Sequence, residues 1–121
     1  MTKKIMVVDD SRSIVRAVKK LLESEEFNVV PAYSGEECLS TLKIEKLDLI
    51  LLDILMPMNG VDVLRSIKSI SPQTKVMMFS VMGQERVIEE CKRMGAVDYI
   101  TKPFDNADLV KKVKKTFNEA V

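Results

Sequence analysis

The sequence predicts an α/β fold in which helices cover both faces of one parallel sheet. Five short apolar segments alternate with five segments whose apolar residues recur every three or four positions, the spacing of an amphipathic helix. The third of the short segments, Asp48–Leu52, is apolar almost throughout, as in strands buried on both faces. Strict alternation with short connections indicates parallel strands joined by right-handed crossovers, so we expect a doubly wound (βα)5 domain.

Five segments rich in Val, Ile and Leu are predicted as strands. They are Ile5–Val8, Phe27–Pro31, Asp48–Leu52, Lys75–Phe79 and Val97–Ile100. Pro31 lacks a backbone N–H, which is tolerated at the edge of a sheet but not in its centre. The second strand is therefore expected near an edge.

The apolar residues between the strands mark five helices. They are Ile14, Val18, Leu21 and Leu22 in the first; Cys38, Leu39 and Leu42 in the second; Leu64 and Ile67 in the third; Val87, Ile88, Cys91 and Met94 in the fourth; and Leu109, Val113 and Phe117 in the fifth. Ser34 and Glu37 have the spacing of a capping box that opens the second helix, and Gly95 is placed to end the fourth. Cys38 and Cys91 fall on apolar faces, so we expect both to be core residues.

Composition limits the class of protein. The chain of 121 residues has the size of one domain, and we expect residues 1–121 to form it. The 19 basic and 18 acidic side chains nearly cancel, so no overall positive charge favours nucleic acid. No apolar run is long enough to cross a membrane, and two cysteines without an export signal indicate a reducing cytoplasm. Histidine is absent, which excludes His-ligated metals and Ser–His catalysis.

Three acidic residues lie where predicted strands end. Asp9 and Asp10 follow the first strand, and Asp53 follows the third. The carboxyl ends of parallel strands meet at one edge of the sheet, where ligands bind in open α/β folds. Three carboxylates at that edge repel one another unless some are protonated or a cation lies between them. Because Mg²⁺ prefers oxygen ligands, the sequence predicts a magnesium site with one carboxylate as a nucleophile.

A hydroxyl and an amine lie at the ends of the last two predicted strands, at the same edge. The fourth strand ends in Ser80, just after Phe79, and Lys102 lies just beyond the fifth. An aspartate can accept a phosphoryl group as an acyl phosphate, and this transfer depends mainly on positioning and charge neutralisation. We expect Asp9 and Asp10 to hold the metal, while Lys102 and Ser80 bind the remaining phosphoryl oxygens.

Four motifs together make the chain resemble the response regulator receiver domain, the phosphoaccepting switch of two-component signalling. They are Val7–Ser11, Leu52–Pro57, Ser80 and Asp98–Phe104. Through Ser80–Gln84 and Gly95–Tyr99 the chain also resembles the single-domain, CheY-like chemotaxis regulators. The resemblance covers the whole chain and implies a flavodoxin-like fold with the strand order 2-1-3-4-5.

The resemblance implies a role for each residue at the acidic edge. Asp53 would be the phosphoacceptor and also a metal ligand. Asp10 would bind Mg²⁺ directly with Asp9 assisting, and the backbone carbonyl of Leu55 would complete the metal shell. Lys102 would act as a catalytic residue that contacts the phosphoryl group.

The resemblance also implies a conformational switch and an output surface. Ser80 and Tyr99 would form the switch, and the Lys102–Pro103 peptide bond would be cis. The surface that binds the output partner would comprise the fourth helix, the fifth strand and the fifth helix, around Tyr99.

One spacing departs from the family pattern. The family usually has a glycine eight residues after the phosphoacceptor, whereas Gly60 lies seven residues after Asp53. Because Met56 and Pro57 keep their usual places, the missing residue falls between Pro57 and Gly60. We therefore expect a shorter and tighter loop before the third helix.

The resemblance implies a switch with protein partners rather than an enzyme that turns over another substrate. The chain would accept its phosphoryl group from a histidine kinase, bind an output protein such as a motor switch component or an adaptor, and be dephosphorylated by a phosphatase. The alternative within the family is a phosphorelay intermediate that passes the group to a histidine phosphotransfer protein. We expect a cytoplasmic monomer that binds neither nucleic acid nor membrane.

A phosphohydrolase that works through an aspartyl-phosphate is the alternative from another class. Such an enzyme needs a second acid just after the nucleophile as its general acid–base. Ile54 and Leu55 occupy that position, and neither can transfer a proton. We also expect no cap domain that could form a substrate pocket, so the sequence favours the switch.

Overall fold

Five parallel strands form one sheet in the order β2-β1-β3-β4-β5, in a computed structural model that describes residues 2–118. The elements are β1 Lys4–Val8, α1 Arg12–Ser24, β2 Asn28–Ala32, α2 Gly35–Ile44, β3 Leu49–Asp53, α3 Gly60–Ile70, β4 Lys75–Val81, α4 Glu85–Arg93, β5 Asp98–Lys102 and α5 Asn106–Thr116. This topology confirms the doubly wound, flavodoxin-like fold. No helix within residues 2–118 has the length and apolar composition needed to span a bilayer.

The centre of the sheet is formed by β1 and β3. Ile5 pairs with Leu49 and Val8 with Leu52, and all four side chains are fully buried. At one edge of the sheet, β2 carries the exposed Pro31, where its missing N–H costs no ladder hydrogen bond. The edge position predicted for this strand is confirmed.

Two apolar layers enclose the sheet. The two-residue period of β1 sends Ile5 and Val7 to the face covered by α1 and α5. Met6 and Val8 point to the opposite face, which is covered by α2, α3 and α4. Burial of each such side chain stabilises the fold by about 1.5–3 kcal/mol, so both layers contribute to holding the strand ends in place.

The residues predicted to begin the second helix, to end the fourth and to line the helices do so in the structure. Ser34 Oγ accepts a hydrogen bond of 3.1 Å from the Glu37 N–H at the start of α2. Gly95 follows α4 with a φ of +106°, a left-handed conformation that favours glycine. Cys38 and Cys91 are buried free thiols, as predicted. Burial raises the pKa of the Cys38 thiol to about 12, so this cysteine remains protonated.

The last two strands extend two residues further than the sequence predicted. The ladder between β4 and β5 continues past the end of β3, pairing Ser80 with Thr101 and Val81 with Lys102. Lys102 therefore lies within β5, which corrects its expected position just beyond that strand. Ser80, expected at the end of the fourth strand, lies within β4 and is followed by one more strand residue.

The loop before α3 is short and closely packed, as expected from its missing residue. Gly60 begins the helix, and its N–H donates a hydrogen bond of 2.9 Å to the carbonyl oxygen of Ile54. A Cβ at Gly60 would lie 2.3 Å from the carbonyl oxygen of Asp53 and 2.7 Å from the Cα of Ile54. The start of α3 thus lies directly against the end of β3, where only glycine fits.

Replacing Gly60 with alanine should destabilise the protein by about 2 kcal/mol or more, because the new methyl group meets backbone that cannot move aside. Gly35→Ala is the matched control, since Gly35 begins α2 and its new methyl would meet the side chains of Met58 and Val63 instead. We expect a smaller loss for that variant. Urea unfolding of the two variants measures both losses, and equal losses would contradict the close backbone contact at Gly60.

Candidate functional site

Three carboxylates converge at the carboxyl edge of the sheet. Asp9 and Asp10 follow β1, Asp53 is the last residue of β3, and each offers an oxygen within 4.8 Å of the others. Asp9 is 1% exposed and Asp53 is 5% exposed, whereas Asp10 is open to solvent. The predicted acidic cluster is therefore present, with two members buried and one facing water.

Lys102 supplies the positive charge next to the two buried acids. Its Nζ lies 2.5 Å from Asp9 Oδ2 and 3.2 Å from Asp53 Oδ1, and 5.5 Å from the centre of the Phe79 ring. Asp9 Oδ1 accepts a hydrogen bond of 2.9 Å from the Ser11 N–H. Charge-assisted hydrogen bonds of this kind are shorter and stronger than neutral ones. Asp9 is thus held through both oxygens, while one ammonium is shared between two carboxylates.

The carboxyl group of Asp53 has a raised pKa. Burial raises its pKa from 3.8 to about 6, and the negative charge of Asp9 adds to the increase. Lys102 and the backbone N–H of Leu55 act in the opposite direction by stabilising the carboxylate. Asp53 is therefore ionised at neutral pH but is a more basic carboxylate than usual, which suits a nucleophile.

The donor set fits the predicted Mg²⁺ ion. Its three carboxylates and one ammonium give a net charge of −2 when all are ionised, which a divalent cation neutralises. Mg²⁺ binds through a few carboxylates and keeps several waters, and the exposed Asp10 leaves one side of the cluster open to water. The Leu55 carbonyl as a further ligand remains a prediction.

Ser80 lies one residue beyond the pair formed by Asp53 and Phe79, nearer the carboxyl edge. Its side chain is 1% exposed, and its Oγ is 3.3 Å from Thr101 Oγ1 across the β4–β5 ladder. The sequence did not single out Thr101 as a functional residue. The two-residue period could have identified it, because it lies directly opposite Ser80 and on the same face of β5 as Tyr99.

Tyr99 lies away from the carboxylates, between the two helices that flank β5. Its ring centre is 4.8 Å from Lys92 Nζ of α4 and 5.0 Å from Lys112 Nζ of α5. Lys112 also donates a hydrogen bond of 2.6 Å to the Tyr99 carbonyl oxygen. Tyr99 pairs with Met78, so the next residue of β4 on the same face is Ser80. A shared face of the sheet thus connects the two predicted switch residues.

Two exposed apolar side chains border the carboxyl edge. Leu55 follows β3 and is 55% exposed, and Met82 follows β4 and is 88% exposed. Neither side chain offers a hydrogen bond that could hold a water molecule in place. These two positions therefore offer no side-chain group that could orient a water molecule at this edge.

Comparison with known sequences identifies one family. The sequence profile of the response regulator receiver domain matches residues 5–114. The transcriptional regulatory protein CpxR of Escherichia coli K12 is 40% identical over 112 residues, which are 92% of this chain and 47% of that protein. The chain therefore spans about half the length of CpxR. The chemotaxis protein CheY of Bacillus subtilis is 34% identical over 120 residues, which are 98% of this chain and 100% of that protein.

Solved structures resemble the chain over nearly its whole length. A CheY-like receiver domain protein from Methanospirillum hungatei JF-1 superposes with a TM-score of 0.92 at 30% identity, covering 98% of this chain and 95% of that one. A response regulator from Thermotoga maritima superposes with a TM-score of 0.90 at 37% identity, covering 98% and 100%.

Replacing Asp53 with asparagine should stabilise the metal-free protein at neutral pH. The raised pKa means that the unfolded chain loses this proton near pH 4 and the folded protein only near pH 6, so ionisation of Asp53 disfavours the fold above pH 6. The gain in unfolding free energy should be about 2–3 kcal/mol at pH 7 and should vanish below pH 4.

Urea unfolding in EDTA between pH 3.5 and 7.5 measures this gain. Asp105→Asn is the control, because Asp105 is an exposed N-cap and asparagine caps helices equally well. A gain for Asp53→Asn that does not change with pH would contradict the burial and repulsion assigned to Asp53.

Proposed function

Because the chain belongs to the response regulator receiver domain family, we propose that it is a phosphorylation-activated switch that accepts a phosphoryl group on Asp53. The observation that carries this proposal is the position of Lys102 Nζ, 3.2 Å from an oxygen of Asp53 within the acidic cluster. A nucleophilic carboxylate, a fixed cation and a set of oxygen ligands are the parts that phosphoryl transfer to aspartate requires.

The proposed transfer step uses each of these side chains. An Asp53 oxygen attacks the phosphorus of a phosphohistidine on the kinase, the P–N bond breaks, and the imidazole leaves with the electron pair and takes up a proton. Lys102 then contacts one oxygen of the acyl phosphate, and the Ser80 hydroxyl turns from Thr101 to donate to another. Mg²⁺ held by Asp9, Asp10, Asp53 and the Leu55 carbonyl would neutralise charge on the phosphoryl oxygens.

Movement of the Ser80 hydroxyl can alter the surface formed by α4, β5 and α5. When the hydroxyl leaves Thr101, it vacates space on the face of the sheet that Tyr99 shares. Tyr99 can then move inward from between Lys92 and Lys112, which alters the surface that an output partner binds.

Chemotaxis is the output that we propose, in a cytoplasmic monomer with a histidine kinase, an output protein and a phosphatase as partners. The match to Bacillus subtilis CheY over the full length of that protein supports it. Affinity capture with the phosphorylated chain tests it: a motor switch component or adaptor supports chemotaxis. Capture of a histidine phosphotransfer protein would instead identify a phosphorelay intermediate.

A switch fits the site better than a phosphohydrolase does. The positions directly after Asp53 hold Ile54, which is 1% exposed, and Leu55, and neither side chain can act as a general acid–base. The acyl phosphate therefore has no dedicated group for its hydrolysis next to the nucleophile, which suits a protein that stores a signal.

Asp53 should be the only phosphorylated residue. Incubation with acetyl phosphate and Mg²⁺, followed by mass spectrometric mapping, should place the label on Asp53, because Asp9 is held by Lys102 and Ser11. Asp53→Asn should abolish labelling, and Asp62→Asn, at an exposed carboxylate of α3, should leave it unchanged. Equal labelling of Asp53→Asn and wild type would refute the proposal.

The phosphoryl group should decay slowly, because Leu55 and Met82 obstruct the attacking water and cannot orient it. A polar side chain that positions this water could lower the barrier by about 1 kcal/mol, which is several-fold in rate. Leu55→Asn and Met82→Glu should therefore decay faster than wild type in Mg²⁺ buffer, with Ile44→Asn as a control at another exposed apolar residue, the last of α2. If neither variant decays faster, access of water does not limit the lifetime.

A further inference from the structure

Arg12 is a cation near the carboxylate edge that the proposed mechanism does not use. It is the first residue of α1 and directly follows Ser11, whose N–H binds Asp9. The side chain is exposed, and its guanidinium carbon lies 4.0 Å from the centre of the Tyr33 ring. Within residues 2–118 this ring contact is the one interaction of the Arg12 side chain, and no carboxylate pairs with it.

The position of Tyr33 shows where the guanidinium lies. β1 and β2 pair in register up to Val8 and Ala32, and the Asp9 N–H donates a hydrogen bond of 3.1 Å to the Ala32 carbonyl oxygen. Tyr33 directly follows Ala32 and Asp9 directly follows Val8, so both residues lie just beyond the paired ends of β1 and β2. The stacked pair of Arg12 and Tyr33 therefore borders the acidic cluster at the ends of these two strands.

Helix stability does not account for a cation at this position. The N-terminus of a helix carries partial positive charge, so the first turn favours acidic residues and disfavours basic ones. The first turn of α1 has no acidic residue, and it begins with Arg12. Stacking on an aromatic ring orients the guanidinium and leaves its N–H groups free to bind an anion.

The net charge of the acidic cluster indicates what the Arg12 guanidinium can do. The three carboxylates, Lys102 and one Mg²⁺ ion sum to zero, so an arriving donor that carries two negative charges meets no net attraction from them. Arg12 adds the missing positive charge at the border of the cluster. A cation there raises the local concentration of an anionic reactant without contacting Asp53.

We infer that Arg12, held by Tyr33, forms an anion-binding subsite that captures small acyl phosphate dianions before transfer. The inference rests on the proposed phosphorylation of Asp53 and adds a donor-binding residue to it. In the reaction with acetyl phosphate, an Asp53 oxygen attacks phosphorus, the P–O bond to the acetyl group breaks, and acetate leaves with the electron pair. Arg12 binds the donor and takes no part in these bond changes.

The test compares two donors that differ in charge. Acetyl phosphate is a dianion at pH 8, and phosphoramidate carries less negative charge. The apparent second-order rate of Asp53 labelling by acetyl phosphate should fall about three- to tenfold in Arg12→Ala, with a smaller fall for phosphoramidate. Arg12→Lys should recover part of the rate, and added KCl should reduce the difference between wild type and Arg12→Ala because it screens exposed charges.

Arg16→Ala is the matched control, since Arg16 is an exposed arginine one helical turn further along α1. It should label at the wild-type rate with both donors. Wild-type rates in Arg12→Ala, or equal losses with the two donors, would overturn the inference and leave the proposed function intact. Absence of labelling in the wild-type protein would refute the proposed function and the inference with it.

Discussion

One ammonium group shared by two buried carboxylates is the interaction on which the rest of the site depends. Lys102 contacts Asp9 and Asp53, and the oxygens of these acids and of Asp10 lie within 4.8 Å of one another. A single positive charge cannot balance three negative ones, so the cluster favours a proton or a second cation. In the metal-free protein, burial raises the pKa of Asp53, and the negative charge of Asp9 adds to the increase. A divalent cation among the oxygens of the cluster would relieve the same imbalance.

The surrounding strands and helices hold these mutually repelling carboxylates in fixed positions. Asp53 ends β3 and Lys102 ends β5, and both strands pair with β4, which lies between them. The first residue of α3 packs against the backbone of Asp53. Phe79, beneath the ammonium of Lys102, stacks on Phe104 at 5.5 Å between ring centres. The apolar layers on both faces of the sheet supply the stability that offsets the repulsion. The paired strands β4 and β5 thus hold Ser80 and Lys102 in place beside the cluster.

The sequence could predict the features that depend on the local spacing of apolar residues and on the rule that ligands bind at the carboxyl ends of parallel strands. The alternating apolar segments predicted the five strands. Because the carboxyl ends of parallel strands meet at one edge of the sheet, the sequence also correctly predicted that Asp9 and Asp53 lie close together. The extension of β4 and β5 could not be predicted, because it depends on pairing between two distant segments, and so the rigid placement of Ser80 and the partner Thr101 were missed. The contact of Lys102 with Asp9 was also missed, since spacing along the chain does not show which acid an amine will reach. The roles of Leu55 and Tyr99 came only from resemblance to a family.

The dependence of unfolding free energy on Mg²⁺ concentration tests the charge constraint most directly. Binding to the folded state alone stabilises it by RT ln(1 + [Mg²⁺]/Kd), so the wild-type protein should become steadily more stable as Mg²⁺ is added. Asp10→Asn, which removes the solvent-facing carboxylate, should lose most of this gain, and Asp105→Asn, at an exposed helix cap, should retain all of it. A wild-type stability that does not respond to Mg²⁺, or an equal gain in Asp10→Asn, would contradict the assignment of this cluster as a cation-dependent site.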